Sequence, residues 1–368
     1  MRVAAALLLA LAASSGCATS PRPSPPSRPE PRSLSARLLL HVDEGVRDRA
    51  LVAREAARLP DGPLFVRVLP ALAYANLARR GSLSRDVVVA RLAPLLDALL
   101  RETSRRVGVG DLARLDQLRG HGTWVGELAL VLGLWRLVGG DDRYDALRTR
   151  LAAALADALD ASGGAPIRSY PSLRWSFDTV PALLALRLHD VSRGTRDHDA
   201  RIDRALAWMD AHLDPATGLP GSRMALDGDA FTDRPRGSDL GLRIALLAQL
   251  DPARARAMYA RFVEHFGRSV MGVPAFAEWP EGLVREPDGD SGPVVMGVGV
   301  AATGFGLAAA RATGDASRAR SLRGAISQLP AFLAALGRPV DPRWVTGSLT
   351  GDAAVLFGLT WTDWGVAR

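Results

Sequence analysis

Four stretches of this 368-residue sequence set acids beside aromatic rings or glycines. In the first, Gly120 to Glu127, His121 lies between two glycines and Trp124 follows, with Glu127 one helical turn beyond Thr123. Glycine lets a backbone approach a ligand closely, and an imidazole exchanges protons near neutrality. The second, Tyr170 to Thr179, groups Tyr170, Trp175 and Phe177 around Asp178. Such rings stack on a sugar face or another flat apolar surface, and the neighbouring carboxyl can give or take a proton. Asp178 or Ser176 could equally cap a helix carrying Pro181 in its first turn.

The third stretch alternates Arg223, Asp227, Asp229, Asp233 and Arg234, then brings Arg236, Ser238 and Asp239 to the mouth of an apolar segment. Alternating charges on a loop form solvated ion pairs as a rule, so only Arg236 and Asp239 are kept as site candidates. The fourth sets Glu278 beside Trp279 and continues to Asp288, Asp290 and Ser291. An indole next to a carboxyl raises its pKa and retains a proton for acid catalysis. Asp290 is also a candidate N-cap for a helix starting near Pro293. Glycosidic cleavage needs two carboxyls. Asp178 or Glu278 is the expected general acid, and Glu127, Asp239 or Asp290 supplies the second carboxylate. His121 is a further proton carrier, with Tyr170, Trp175, Trp279, Trp124 and Arg236 expected to hold substrate.

No metal or cofactor is expected. The six histidines form no HExxH or tight pair, and oxygen-rich loops alone do not specify calcium. Gly297-x-Gly299-x-x-Ala302 follows a Pro-rich loop rather than a strand, so it is not read as a dinucleotide fingerprint. There is no GxSxG elbow. The sole cysteine, Cys17, leaves the body without a disulfide or a thiol nucleophile.

The elements that must position these groups read as helices of two kinds. Amphipathic stripes recur at Val88, Leu92, Leu95, Leu96 and Leu99; at Leu147, Leu151, Leu155 and Leu159; at Ile202, Leu206, Met209 and Leu213; and from Ala255 to Phe266. Between them lie segments apolar nearly all round, Trp124 to Val138, Val180 to Leu188, Leu240 to Leu250 and Val294 to Ala310. Alternation of wet-faced and fully buried helices, with no period-2 runs, implies an all-α single domain, an α/α toroid of about six hairpins over residues 38–368. A solenoid would show a fixed repeat length, which is missing. Ser291 to Ala310 is uncharged, but its glycines and alanines suit close packing in a soluble core.

Met1-Arg2, the apolar run Val3 to Ala13 and the small residues to Gly16 form a signal peptide over 1–16, too short to span a bilayer. Its Gly16-Cys17 ending resembles the bacterial lipobox, with Ser14 where that motif usually has Leu. The resemblance implies a lipidated Cys17 and, since Ala18 rather than Asp follows, an exported protein anchored to the outer membrane. The Pro-, Ser- and Arg-rich stretch to Arg37 is a semi-rigid tether. It also accounts for most of the charge. The chain has 46 basic residues, all arginine, against 39 acids, a formal +7. From Leu38 onward there are 41 basic and 38 acidic residues, too balanced for nucleic-acid binding.

The alternating hairpins, the turn Asp214-Pro-Ala-Thr-Gly-Leu219 and the aromatic-acid loops resemble six-hairpin carbohydrate-active enzymes. Asp290-Ser-Gly-Pro293 through Gly304-Phe-Gly306, with Tyr170 to Asp178, is similar to the linalool dehydratase/isomerase-like toroid family, whose active-site cysteines have no counterpart here. The first likeness implies binding and cleavage of a glycan by paired carboxyls. The second implies a lyase or isomerase acting on a small alcohol. A non-catalytic binding or scaffolding lipoprotein is the remaining alternative, and the central cavity discriminates the three: acid-lined and open, closed and apolar, or filled.

Overall fold

The computed structural model describes residues 33–58, 61–270, 272–283, 285–335, 337 and 344–367. The expected signal peptide, Cys17 and most of the tether lie outside them. The described chain is all-α, with thirteen helices and three two-stranded antiparallel ribbons.

Six helices are apolar on nearly every face: α3 (Gly62–Arg79), α5 (Gly122–Leu137), α7 (Thr179–Arg193), α9 (Gly237–Leu247), α11 (Val300–Thr313) and α13 (Leu349–Thr360). Each packs on the next, and α13 packs back on α3. The amphipathic helices α4 (Arg85–Val107), α6 (Asp145–Ala161), α8 (Asp199–Ala211), α10 (Pro252–Phe266) and α12 (Ala316–Ala335) alternate with them in the chain. The first of these shows the principle: Val88, Leu92, Leu95, Leu96 and Leu99 are all buried on one face of α4, while Arg101 and Arg105 stay on the wetter side. The stripe on α8 stops early. His212 ends that helix with its ring stacked 3.9 Å from Trp208, and Leu213 beyond it is exposed.

Two short helices precede the set, α1 (Leu34–Gly45) and α2 (Arg49–Ala57). The first begins inside the segment that composition assigns to the tether. The last proline of that segment is Pro31, and Ser33 Oγ caps the new helix by accepting the Ala36 N–H at 3.2 Å.

Strands appear where none is expected. The ribbons are β1 (Arg174–Trp175) with β2 (Arg223–Met224), β3 (Gly267–Val270) with β4 (Val273–Phe276), and β5 (Val294–Val295) with β6 (Val298–Gly299). The last replaces the start of the helix predicted from Val294. Met296 and Gly297 both take positive φ, 53° and 78°, the conformation of a tight hairpin turn, so α11 cannot begin before Val300. Close packing by small residues does hold further along: a Cβ on Gly241 would meet Phe305 and Gly306 at 2.8 to 3.0 Å, where α9 and α11 touch.

The C-terminal segment after α13 crosses the far ends of the inner helices. Trp364 Nε1 donates to Asn76 Oδ1 of α3 at 2.7 Å, and Trp361 Nε1 donates to the Ala245 carbonyl of α9 at 2.9 Å. Gln249 grips the same segment twice, and Arg187 of α7 donates Nε to the Val366 carbonyl at 2.6 Å. No helix among the described residues is long and apolar enough to cross a membrane.

Candidate functional site

Because an outer helix separates each inner helix from the next, all six inner helices run the same way. Their N-terminal ends surround a cavity of about 680 Å³. Its deeper wall is apolar, with Phe65 and Leu69 from α3, Leu242 from α9, Phe305 from α11 and Val355 from α13. Nearer the mouth stand Tyr170, Trp175, Phe177 and six carboxyls: Glu55, Asp61, Asp178, Asp239, Asp288 and Asp290.

Asp178 precedes α7 but does not cap it; no hydrogen bond joins its carboxyl to that helix end. Instead Thr123 Oγ1 of α5 donates to Asp178 Oδ2 at 2.7 Å, inside a buried pocket. Burial pushes the Asp178 carboxyl up to about 7, against hydrogen bonds from Ser169 and Thr123; Asp61 and Asp239 add repulsion. Behind it Glu127 is fully buried, with Oε2 unpartnered among the described residues, and burial plus the Asp178 charge raise it to about 8. The Asp178 charge thus couples the two acids, and both are raised to neutrality or above.

Asp61 sits across from Asp178 at the start of α3. It also leaves its helix uncapped and accepts the Tyr170 hydroxyl. Burial raises its pKa, opposed by Tyr170, Arg106 and the Trp124 indole. Asp290 completes the group. Its carboxyl reaches solvent, yet the concave wall strips enough water from it to raise its pKa, and Asp61 and Asp288 contribute repulsion. It is not the cap of α11, which begins after Gly299.

Arginines fix the remaining acids, Glu55 being held by Arg58 at 2.8 Å. Arg243, fully buried, clamps Asp239 through Nε and Nη2 at 2.9 and 3.0 Å and reaches Ser176. Arg236 lines the cavity, with Nη1 and Nη2 on Asp288 at 2.9 and 2.7 Å and Nε on Glu278 at 3.0 Å. Although burial opposes its charge, Asp288 and Glu278 hold its pKa above the ordinary arginine value. Glu278 also receives Ser238 N and Oγ, at 3.2 and 2.7 Å. Burial drives Glu278 up to about 7, against the pull of Arg236 and Ser238, which both donate to it.

The cavity thus gathers Asp178, Asp239, Asp290, Tyr170, Trp175 and Arg236 from the predicted set. Glu127 lies behind its wall. Glu278 and Trp279 lie behind Arg236, whose guanidinium covers the indole at 4.6 Å. Trp124 is buried beneath Arg106, and His121 stands off the wall as a partly exposed residue at the start of α5. Burial, then Arg106, lowers the His121 pKa.

Sequence reasoning missed Asp61 and Glu55, together with the hydroxyl strip of Thr346, Ser348 and Thr350 at the start of α13. The missed signal is the same one that marked the other clusters. Asp61-Gly-Pro and Thr346-Gly-Ser each directly precede an apolar helix. The histidines are also less scattered than they look. His189, Asp190 and His198 put one donor atom each within 4.8 Å of one another at the opposite end of α7. Asp190 there serves the turn, accepting His198 N at 3.0 Å and facing His198 Nδ1 at 2.7 Å. Burial, followed by Arg148, depresses His189 to about 4, and that guanidinium opposes a cation as well.

No protein-family model matches this sequence, and no curated protein matches it.

Proposed function

We propose that the cycle of inner helices is an α/α toroid whose cavity binds a glycan or related polyhydroxylated substrate and cleaves it by carboxyl acid–base chemistry. The observation that carries this is a buried acid, Asp178, tuned to about 7 and free of any capping duty, facing an open cavity that also holds Asp239 paired to Arg243. One carboxyl that keeps its proton near an anionic one is the division of labour that glycosidic cleavage requires. Asp178 donates to the leaving oxygen, and Asp239 assists water or the developing cation. Trp175, Tyr170 and Phe177 offer ring faces, while Ser222, Thr346, Ser348 and Thr350 offer hydroxyl partners.

The apolar depth of the cavity favours a second reading, a lyase or isomerase acting on a small alcohol, in the manner of the linalool dehydratase/isomerase-like family. Here too Asp178 would protonate the departing hydroxyl, without the cysteines of that family. A binding lipoprotein without chemistry is a third reading, disfavoured by buried acids of raised pKa that cap no helix.

The test is turnover on two panels, polysaccharides scored by new reducing ends and short terpenoid alcohols scored by loss of water. Asp178→Asn should lower kcat by about 10²- to 10⁴-fold with unchanged melting temperature. Turnover confined to the alcohols selects the second reading, and saturable glycan binding that is identical in wild type and variant, without turnover, selects the third.

Export and anchoring through Cys17 belong to the same proposal, supported by the order of charged, apolar and small residues ahead of it. Palmitate labelling in a bacterial host should mark the protein, and Cys17→Ser should abolish the label. Equal labelling of both would remove the anchor.

A further inference from the structure

A second cavity, of about 290 Å³, opens where α11 and α13 end, away from the carboxyl cavity at their beginnings. Leu307 and Leu359 form its apolar side, and Arg311, Arg320 and Arg323 its polar side. The helix that supplies two of these, α12, contains no acid from Ala316 to Ala335. Its remaining arginine, Arg318, is taken by Asp315 at 3.4 Å. A further guanidinium, that of Arg80, reaches the same end and donates to the Leu359 carbonyl at 3.2 Å.

Several buried or partly buried arginines elsewhere are matched by acids, Arg236 by Glu278 and Asp288, Arg243 by Asp239, Arg254 by Asp210 and Asp251, whereas Arg174 and Arg67 each stand alone against backbone carbonyls. Arg80, Arg311, Arg320 and Arg323 make no ion pair among the described residues. The Arg311 Nε is buried without a hydrogen-bond partner. Burial, then repulsion from Arg80 and Arg323, lowers its pKa. Helix C-termini do attract arginine, but each end supplies about half a negative charge. The ends of α3, α11 and α13 together fall well short of four guanidiniums.

We propose that Arg311, Arg320 and Arg323, reinforced by Arg80, form a binding site for a phosphate-type oxyanion. Guanidinium forks match tetrahedral oxyanions through paired N–H donors, and the two leucines keep the floor dry. The anion has two possible sources, free phosphate or the phosphodiester of a lipid headgroup. The second rests on the proposed anchor and has its own geometric support. Helix α1 runs antiparallel to α13, with His41 facing Asp352 at 3.2 Å and Gly45 against Leu349. Its first residues therefore lie toward Leu359, so Ser33 stands at the end that carries the arginines.

The experiment uses the full chain with Cys17→Ser, so that no acyl group contributes. Inorganic phosphate is titrated by calorimetry at low salt, and vesicles of phosphatidylglycerol or of phosphatidylcholine alone are tested by co-sedimentation. Saturable phosphate binding, weakened about tenfold or more in Arg311→Gln/Arg323→Gln, supports the site with free phosphate as ligand. Sedimentation with phosphatidylglycerol alone, lost in the same variant, supports it with a headgroup as ligand. Arg320→Gln, an exposed change that cannot disturb the core, should weaken binding in either arm and guards against a folding defect in the double variant. Absence of binding in both arms, or binding unchanged in these variants but lost when Arg22, Arg28 and Arg32 are replaced, overturns the proposal.

Discussion

The two ends of the inner helices handle polar groups in opposite ways. At the C-terminal end the segment 361–367 is tied down on α3, α7, α9 and the Gln249 just beyond it, through the Trp361 and Trp364 indoles and the Thr362 and Val366 carbonyls. Its polar atoms are spent on holding helices together. At the N-terminal end Asp61 and Asp178 sit where capping residues belong and cap nothing, and burial raises both. A buried acid left short of donors costs stability. That cost sets the acids of the N-terminal end apart from the closing segment 361–367, whose bonds serve to hold helices together.

The comparison can be broken most directly at the closed end. Trp364→Ala removes a buried ring and leaves Asn76 without its indole partner, and should cost about 3–5 kcal/mol in urea denaturation. A loss below about 1 kcal/mol would mean the segment is an ornament on helices that already close by themselves.

At the open end the sharper probe is pH. Glu127 titrates at about 8 in the fold and near 4.5 when unfolded, so between those values the native state holds a proton the unfolded chain has released. Stability therefore falls as pH rises through that window and levels off above it. Glu127→Gln should remove this slope and gain on wild type by more than about 1 kcal/mol by pH 8. Parallel stability curves for the two proteins from pH 4.5 to 8 would show that Glu127 is not the strained group.

Within the site itself the contrast is between a ring on the wall and one beside it. Trp175→Ala should raise KM about tenfold through lost stacking, with kcat little changed. His121→Ala, off the wall, should leave both constants within about twofold, and a large fall in kcat would return the imidazole to the chemistry.

How much of this was legible varies by residue. The stripe from Val88 to Leu99 gave the orientation of α4 outright, since its period fixes which face is buried. Trp124 and Trp279 carried the right residue types, but an indole beside an acid reads the same whether it stacks on substrate or, as here, under Arg106 or Arg236. The helix boundary near Val294 was misplaced because a hairpin of three valines around Met296 and Gly297 looks apolar in either conformation. Asp61 was readable and overlooked, although its Gly-Pro context matches the rule that found Asp178.

The sequence by itself determined the alternation of helix types, the near-balanced charge from Leu38 onward, and the placement of acids just ahead of apolar helices. These follow from periodicity and composition, which are local. Only the tertiary structure decided that Asp61 and Asp178 face one cavity, that Glu278 serves Arg236 instead of the cavity, and that four arginines without acids meet at the other end. Proton affinity and pairing depend on which groups come within a few ångströms and how much water remains between them, and no spacing along the chain encodes either.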